Sequence, residues 1–69
     1  MEKTKFAQRV RELRAEKGLT QQFVAEKFNV HRTTVKDWEV RGKEPDYATL
    51  CALARFFEVT TDYLLGMED

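Results

Sequence analysis

The sequence predicts an all-α fold of five short helices packed into 69 residues. Apolar residues recur at spacings of three and four with no strand-like alternation, and Gly, Asn, Pro, Thr and Asp stand where helices stop and start. A chain this short buries only about 60% of the surface that its unfolded form exposes, so the core is thin. The single cysteine, Cys51, excludes an internal disulfide, and neither repeated Cys/His spacing nor paired histidines offer a metal site. Helix packing must therefore hold the fold, with dimerisation as an additional source of stability.

The first helix is expected from about Thr4 to Lys17, with Phe6, Val10 and Leu13 on one face and Gly18 as its stop. Its other face carries Lys5, Arg9, Arg11 and Arg14. Thr20 is a natural N-cap for a second helix, whose inward residues are Val24, Ala25 and Phe28. Asn29 tolerates the left-handed backbone of a tight turn, and Val30 follows as an apolar plug. A third helix spans about Arg32 to Val40, anchored by Val35 and Trp38. Its remaining face is left to solvent or a ligand.

After a loop containing Gly42, Pro45 and Asp46 open a fourth helix with the stripe Leu50, Leu53, Ala54 and Phe57. Cys51 on this helix reads as a small buried hydrophobe. Thr60 caps a fifth helix through Leu65, Gly66 ends it, and Met67, Glu68 and Asp69 are expected to trail as a frayed tail. Residues 1–69 read as one domain.

Leu19 to Glu39, "LTQQFVAEKFNVHRTTVKDWE", meets the mechanical requirements of a helix-turn-helix at residues 20–40. Ala25 lets two helices cross closely, Asn29 makes the turn, and Val24, Phe28 and Val30 fill the angle. Val35 and Trp38 lock the third helix onto the second.

A net charge of zero argues at first against a nucleic-acid partner, but its distribution argues for one. Residues 1–43 hold eleven Lys/Arg against six Asp/Glu, whereas residues 44–69 hold one Arg55 and six acids. The molecule therefore has a basic N-terminal part suited to phosphate and an acidic C-terminal part that DNA repels.

"RVRELRAEKGLTQ", "VAEKF", "WE", "EPDYATL" and "VTTDYLLG" follow one another in the order of a known pattern. In these segments the chain resembles the Cro and phage-repressor (xenobiotic response element, XRE) helix-turn-helix family of bacterial transcription regulators. The resemblance implies a five-helix lambda-repressor-like DNA-binding domain, and a homodimer that reads two half-sites of double-stranded DNA, more as a repressor than as an activator. It also implies that Gln21 clamps a backbone phosphate and steadies the recognition helix.

Arg32, Thr33, Lys36 and Asp37 fall where the family places base-reading side chains, and helical geometry independently sets them opposite Val35 and Trp38. Arg32 or Lys36 suits guanine, Thr33 a thymine methyl, and Asp37 the amino group of cytosine. Arg41, Lys43, Arg9 and Arg14 are the candidates for phosphate contacts. His31 is a minor one, with a solvated turn histidine as the alternative.

Four positions depart from the family pattern. Phe23 removes the acidic partner of a capping box with Thr20, and His31 replaces the usual Ser/Thr N-cap of the recognition helix. Glu58 stands where glycine is usual after helix four, and Gly42 lies one residue late.

Phe56, Tyr63, Leu64, Leu65 and Met67 exceed what so small a core obviously needs. They form either a dimer seam or extra core packing. A second functional class remains open, a protein-interaction module such as the antitoxin of a toxin–antitoxin pair, holding a partner protein through Phe23, Phe56 and Tyr63. An enzyme is not expected, since no Ser/His/Asp or Cys/His grouping, paired carboxylates or phosphate-cradling glycine loop is present, and neither is a cofactor. No apolar run approaches the roughly 20 residues that span a bilayer. A cytoplasmic protein without a membrane partner is the expectation.

Overall fold

The computed structural model describes residues 4–69. Among them the chain forms α1 (Lys5–Glu16), α2 (Gln21–Lys27), α3 (Arg32–Lys36), a π-helical turn (Asp37–Arg41) that continues α3, α4 (Tyr47–Phe57) and α5 (Thr61–Leu65). No strand occurs among the described residues.

Every α-helix starts on a side-chain acceptor. Thr4, Thr20, His31, Asp46 and Thr60 each accept from a backbone N–H two or three residues on. An end left with four unsatisfied N–H groups gains about 1 kcal/mol from such a cap. This matters most for α3 and α5, five residues each, which are too short to persist on propensity alone. Thr20 caps α2 without its box partner, and Phe23, the residue found there, instead lies 5.7 Å from the Lys27 ammonium.

The core is one cluster to which every helix contributes: Phe6 and Val10 from α1, Val24 and Ala25 from α2, Val35 and Trp38 from α3 and its continuation, Leu53, Ala54 and Phe57 from α4, and Leu64 from α5. Phe28 joins it edge-on to both Trp38 and Phe56, at centroid distances of 6.5 and 5.4 Å. These edge-to-face contacts seat the helix-turn-helix against α4. Asn29 takes the left-handed conformation at φ 55°, and the Val30 N–H bonds the Ala25 carbonyl at 2.9 Å, closing the turn.

Three expectations are corrected. Cys51 is exposed, because α4 turns Leu53, Ala54 and Phe57 inward and leaves Cys51 and Arg55, one turn apart, on its outer side. The tail does not trail free. The Met67 N–H bonds the Asp62 carbonyl at 2.8 Å, and Arg9 donates to the carbonyl of Glu68 at 2.6 Å. The third helix keeps α geometry only to Lys36 and then widens into the π-turn, which Lys43 closes by donating its N–H to the Asp37 carbonyl at 3.1 Å.

That widening accounts for the late glycine. A π-turn holds more residues per turn than an α-turn, so the left-handed position at the end of the element moves later in sequence. Gly42 fills it at φ 68°, and a Cβ there would lie 3.0 Å from Thr4 Oγ1.

Candidate nucleic-acid interface

The turn at Asn29 and the pairing of Val35 and Trp38 with the core decide which side of α3 is left outside. Arg32, Thr33 and Lys36 are exposed on it, and Asp37 is half-buried at its end. His31 begins the helix. Its Nδ1 accepts the Thr33 N–H at 3.1 Å and meets Thr33 Oγ1 at 2.9 Å, which leaves Nε2 free of the cap. The His31 side chain thus performs the cap that Ser or Thr would otherwise supply.

Beyond the helix, Arg41 and Lys43 are exposed. The Arg41 side chain, 79% exposed, stands 3.7 Å from Asp37 Oδ1 in a loose i,i+4 pair. An exposed pair of this kind is worth well under about 1 kcal/mol and yields readily to a phosphate. Four cationic side chains, Arg32, Lys36, Arg41 and Lys43, therefore line one continuous stretch of chain from the start of α3 to the loop after it.

Gln21 opens α2, half-buried, with its Nε2 3.2 Å from Glu39 Oε1. Glu39 sits on the inward side of the π-turn beside Trp38 and is 2% exposed. Arg14 reaches it from α1 as a fork, Nε to Oε2 at 2.6 Å and Nη2 to Oε1 at 2.9 Å, while Nη1 donates to the Leu19 carbonyl at 2.7 Å. The hydrogen bond to Glu39 raises the Arg14 pKa, and the carboxylate's charge adds to that against the opposing effect of burial.

Two of the phosphate candidates are thereby engaged inside the domain. Arg14 is committed to Glu39 and Leu19. Arg9 lies 4.1 Å above the Tyr63 ring and donates to the Tyr63 and Glu68 carbonyls, so it fastens the C-terminal end of α5 to α1. Among the proposed seam residues, Leu64 is fully buried in the core and has no surface to offer a second copy. Phe56 is partly buried against Phe28 and Phe57, Tyr63 lies under Arg9, and Met67 is exposed.

Sequence reasoning missed Glu39 as a component of the site, although a signal was present. Val35, Trp38 and Glu39 share the inward face at spacings of three and four, and a charge on such a face requires a partner. Among the described residues no group of His, Cys, Asp and Glu is placed to hold a metal ion, and no helix is long and apolar enough to cross a membrane.

Residues 10–64 match the family model described as helix-turn-helix. The chain is 37% identical over 64 residues to the HTH-type transcriptional regulator ImmR of Bacillus subtilis, covering 93% of this chain and 50% of that protein. It is 36% identical over 64 residues to the uncharacterized HTH-type transcriptional regulator YobD of Bacillus subtilis, covering 93% and 57%. To the HTH-type transcriptional activator BcrR of Enterococcus faecalis it is 38% identical over 64 residues, covering 93% and 31%. The chain spans about half the length of the first two relatives and under a third of the last.

Proposed function

Because the chain belongs to the helix-turn-helix family, we propose that it is a sequence-specific binder of double-stranded DNA that regulates transcription by placing α3 in the major groove. The carrying observation is the outward face of α3, where Arg32, Thr33 and Lys36 are exposed next to a loop that presents Arg41 and Lys43. Arg32 and Lys36 are suited to guanine O6 and N7, Thr33 to a thymine methyl, and Asp37 to a cytosine amino group. Gln21, Arg41 and Lys43 hold the sugar–phosphate backbone and set the register, with His31 as a lesser contact through its outward Nε2.

The domain is a binding module and its chemistry is recognition, without a catalytic step. Occupying an operator is sufficient to block transcription, and repression is the mode we assign. A second copy is assigned to the exposed apolar residues Leu65 and Met67 of the α5 end, and a pseudo-palindromic site read by such a pair requires its half-sites about 34 Å apart.

The test is a selection of bound sequences from random duplexes, followed by Arg32→Ala and Arg41→Ala. Enrichment of a defined motif is expected. Arg32→Ala should relax preference at one base pair, and Arg41→Ala should weaken all sequences alike. Equal behaviour of the two variants refutes the assignment of roles, and the absence of any enriched motif refutes sequence-specific binding.

A further inference from the structure

Three N–H groups converge on the buried Glu39 carboxylate: two from Arg14, and Nε2 of Gln21 at 3.2 Å. Among the described residues no buried side-chain polar atom lacks a partner. The Arg14–Glu39 pair alone would account for tying α1 to the end of the recognition helix. The bond from Gln21 is a separate matter, because Gln21 is the first residue of α2 and only half-buried.

A glutamine amide has two ends of similar shape and opposite function, and its last torsion is soft. A carboxylate only accepts. With Glu39 inside, the amide must therefore turn its nitrogen inward, and its second N–H is the donor left for the surface. Arg14 supplies the charge that allows a carboxylate to stand behind this position without repelling an approaching phosphate.

We propose that Glu39 is a positioning residue for DNA-backbone recognition, holding the Gln21 amide in one orientation so that its remaining N–H meets a phosphate oxygen. This rests on the reading of Gln21 as a phosphate ligand. An amide already ordered in the free protein loses less rotamer freedom on binding, which is where the gain in affinity arises.

The experiment is a double-mutant cycle of Glu39→Gln and Gln21→Ala. Binding to a short random-sequence duplex is measured at low salt, at a temperature where circular dichroism shows all four proteins folded. Gln21→Ala should weaken binding about three- to tenfold, the effect of one hydrogen bond. Glu39→Gln should weaken it similarly alone and add nothing in the Gln21→Ala background. Equal losses in both backgrounds, or no loss in either, overturn the positioning role while leaving Gln21 as a phosphate ligand. No loss from Gln21→Ala overturns that reading and the proposal together.

If Glu39→Gln does not fold, nitrogen-15 relaxation of the wild-type side-chain amides decides the matter. Gln21 should be nearly as rigid as the backbone and the exposed Gln8 mobile. A Gln21 amide as mobile as that of Gln8 overturns the proposal.

Discussion

Glu58 ends α4 in the left-handed region at φ 60°, ψ 42°, where a Cβ crowds the following carbonyl at a cost of about 1–2 kcal/mol. The fold requires the conformation. It lets the Glu58 N–H bond the Arg55 carbonyl and the Val59 N–H bond the Ala54 carbonyl at 2.9 Å, closing the helix before Thr60 caps the next. Among the described residues nothing contacts the Glu58 side chain in return, by hydrogen bond or ion pair. Glu58→Gly should therefore stabilise the domain by about 1 kcal/mol, raising the thermal midpoint by about 4–8 °C. Asn29→Gly should raise it less, because asparagine already tolerates the same region at φ 55°. Thermal unfolding followed by circular dichroism checks both, and a fall in the midpoint for Glu58→Gly would show a side-chain interaction that outweighs the strain.

Between elements, the N-terminal end of α1 is wedged against two glycines. Gly42 ends the π-turn against Thr4, and Gly66 ends α5 so close to Lys5 that a Cβ would lie 2.5 Å from the Lys5 Cβ. Gly18 shares the positive φ, but an added Cβ there meets open space. Gly18→Ala should thus cost only the backbone penalty of about 1–2 kcal/mol, whereas Gly66→Ala adds a collision that α1 or α5 must move to relieve. Urea midpoints that fall equally for the two would contradict the close approach. The cap of α4 adds a pH dependence. Asp46 accepts the Thr49 N–H at 2.8 Å, and its hydrogen bonding to Thr49 lowers its pKa from the ordinary 3.8. A depressed carboxylate contributes stability that is present above its unfolded pKa and lost as pH falls through the folded one. Asp46→Asn keeps a neutral cap and should flatten the stability profile below about pH 4, lying slightly below wild type near neutrality, where the carboxylate's contribution is lost, and converging with it in acid. The caps and the core stripes were legible in the sequence because each depends on local spacing. The π-turn was not, since it is closed by backbone bonds from Gly42 and Lys43 to the Asp37 carbonyl that the apolar spacing of Val35 and Trp38 fits as well in an α-helix, and only the late glycine hinted at it.

At the scale of the molecule, the division into a basic part that runs through Lys43 and an acidic part after it gives the domain a preferred approach to a polyanion. The outward residues of α3 could be read from helical phase alone, as positions opposite Val35 and Trp38. The allocation of the basic residues of α1 could not be read that way: Arg9 and Arg14 look like the others in sequence but reach across space to Tyr63, Glu68 and Glu39. The structure thus separates cations that hold the domain together from cations that face outward, and the distinction has a measurable form. Each phosphate neutralised by an outward cation releases counterions, so the log–log slope of affinity against salt steepens by about 0.9 per contact. Arg41→Ala and Lys43→Ala should each make the slope shallower by about that amount while leaving thermal stability nearly unchanged, since exposed charges contribute little to folding. Arg9→Met removes the staple on α5 and should instead lower the thermal midpoint with little change in slope. The reverse pattern, a slope that follows Arg9 and ignores Arg41 and Lys43, would place the DNA against the α1–α5 side and displace α3 from the interface.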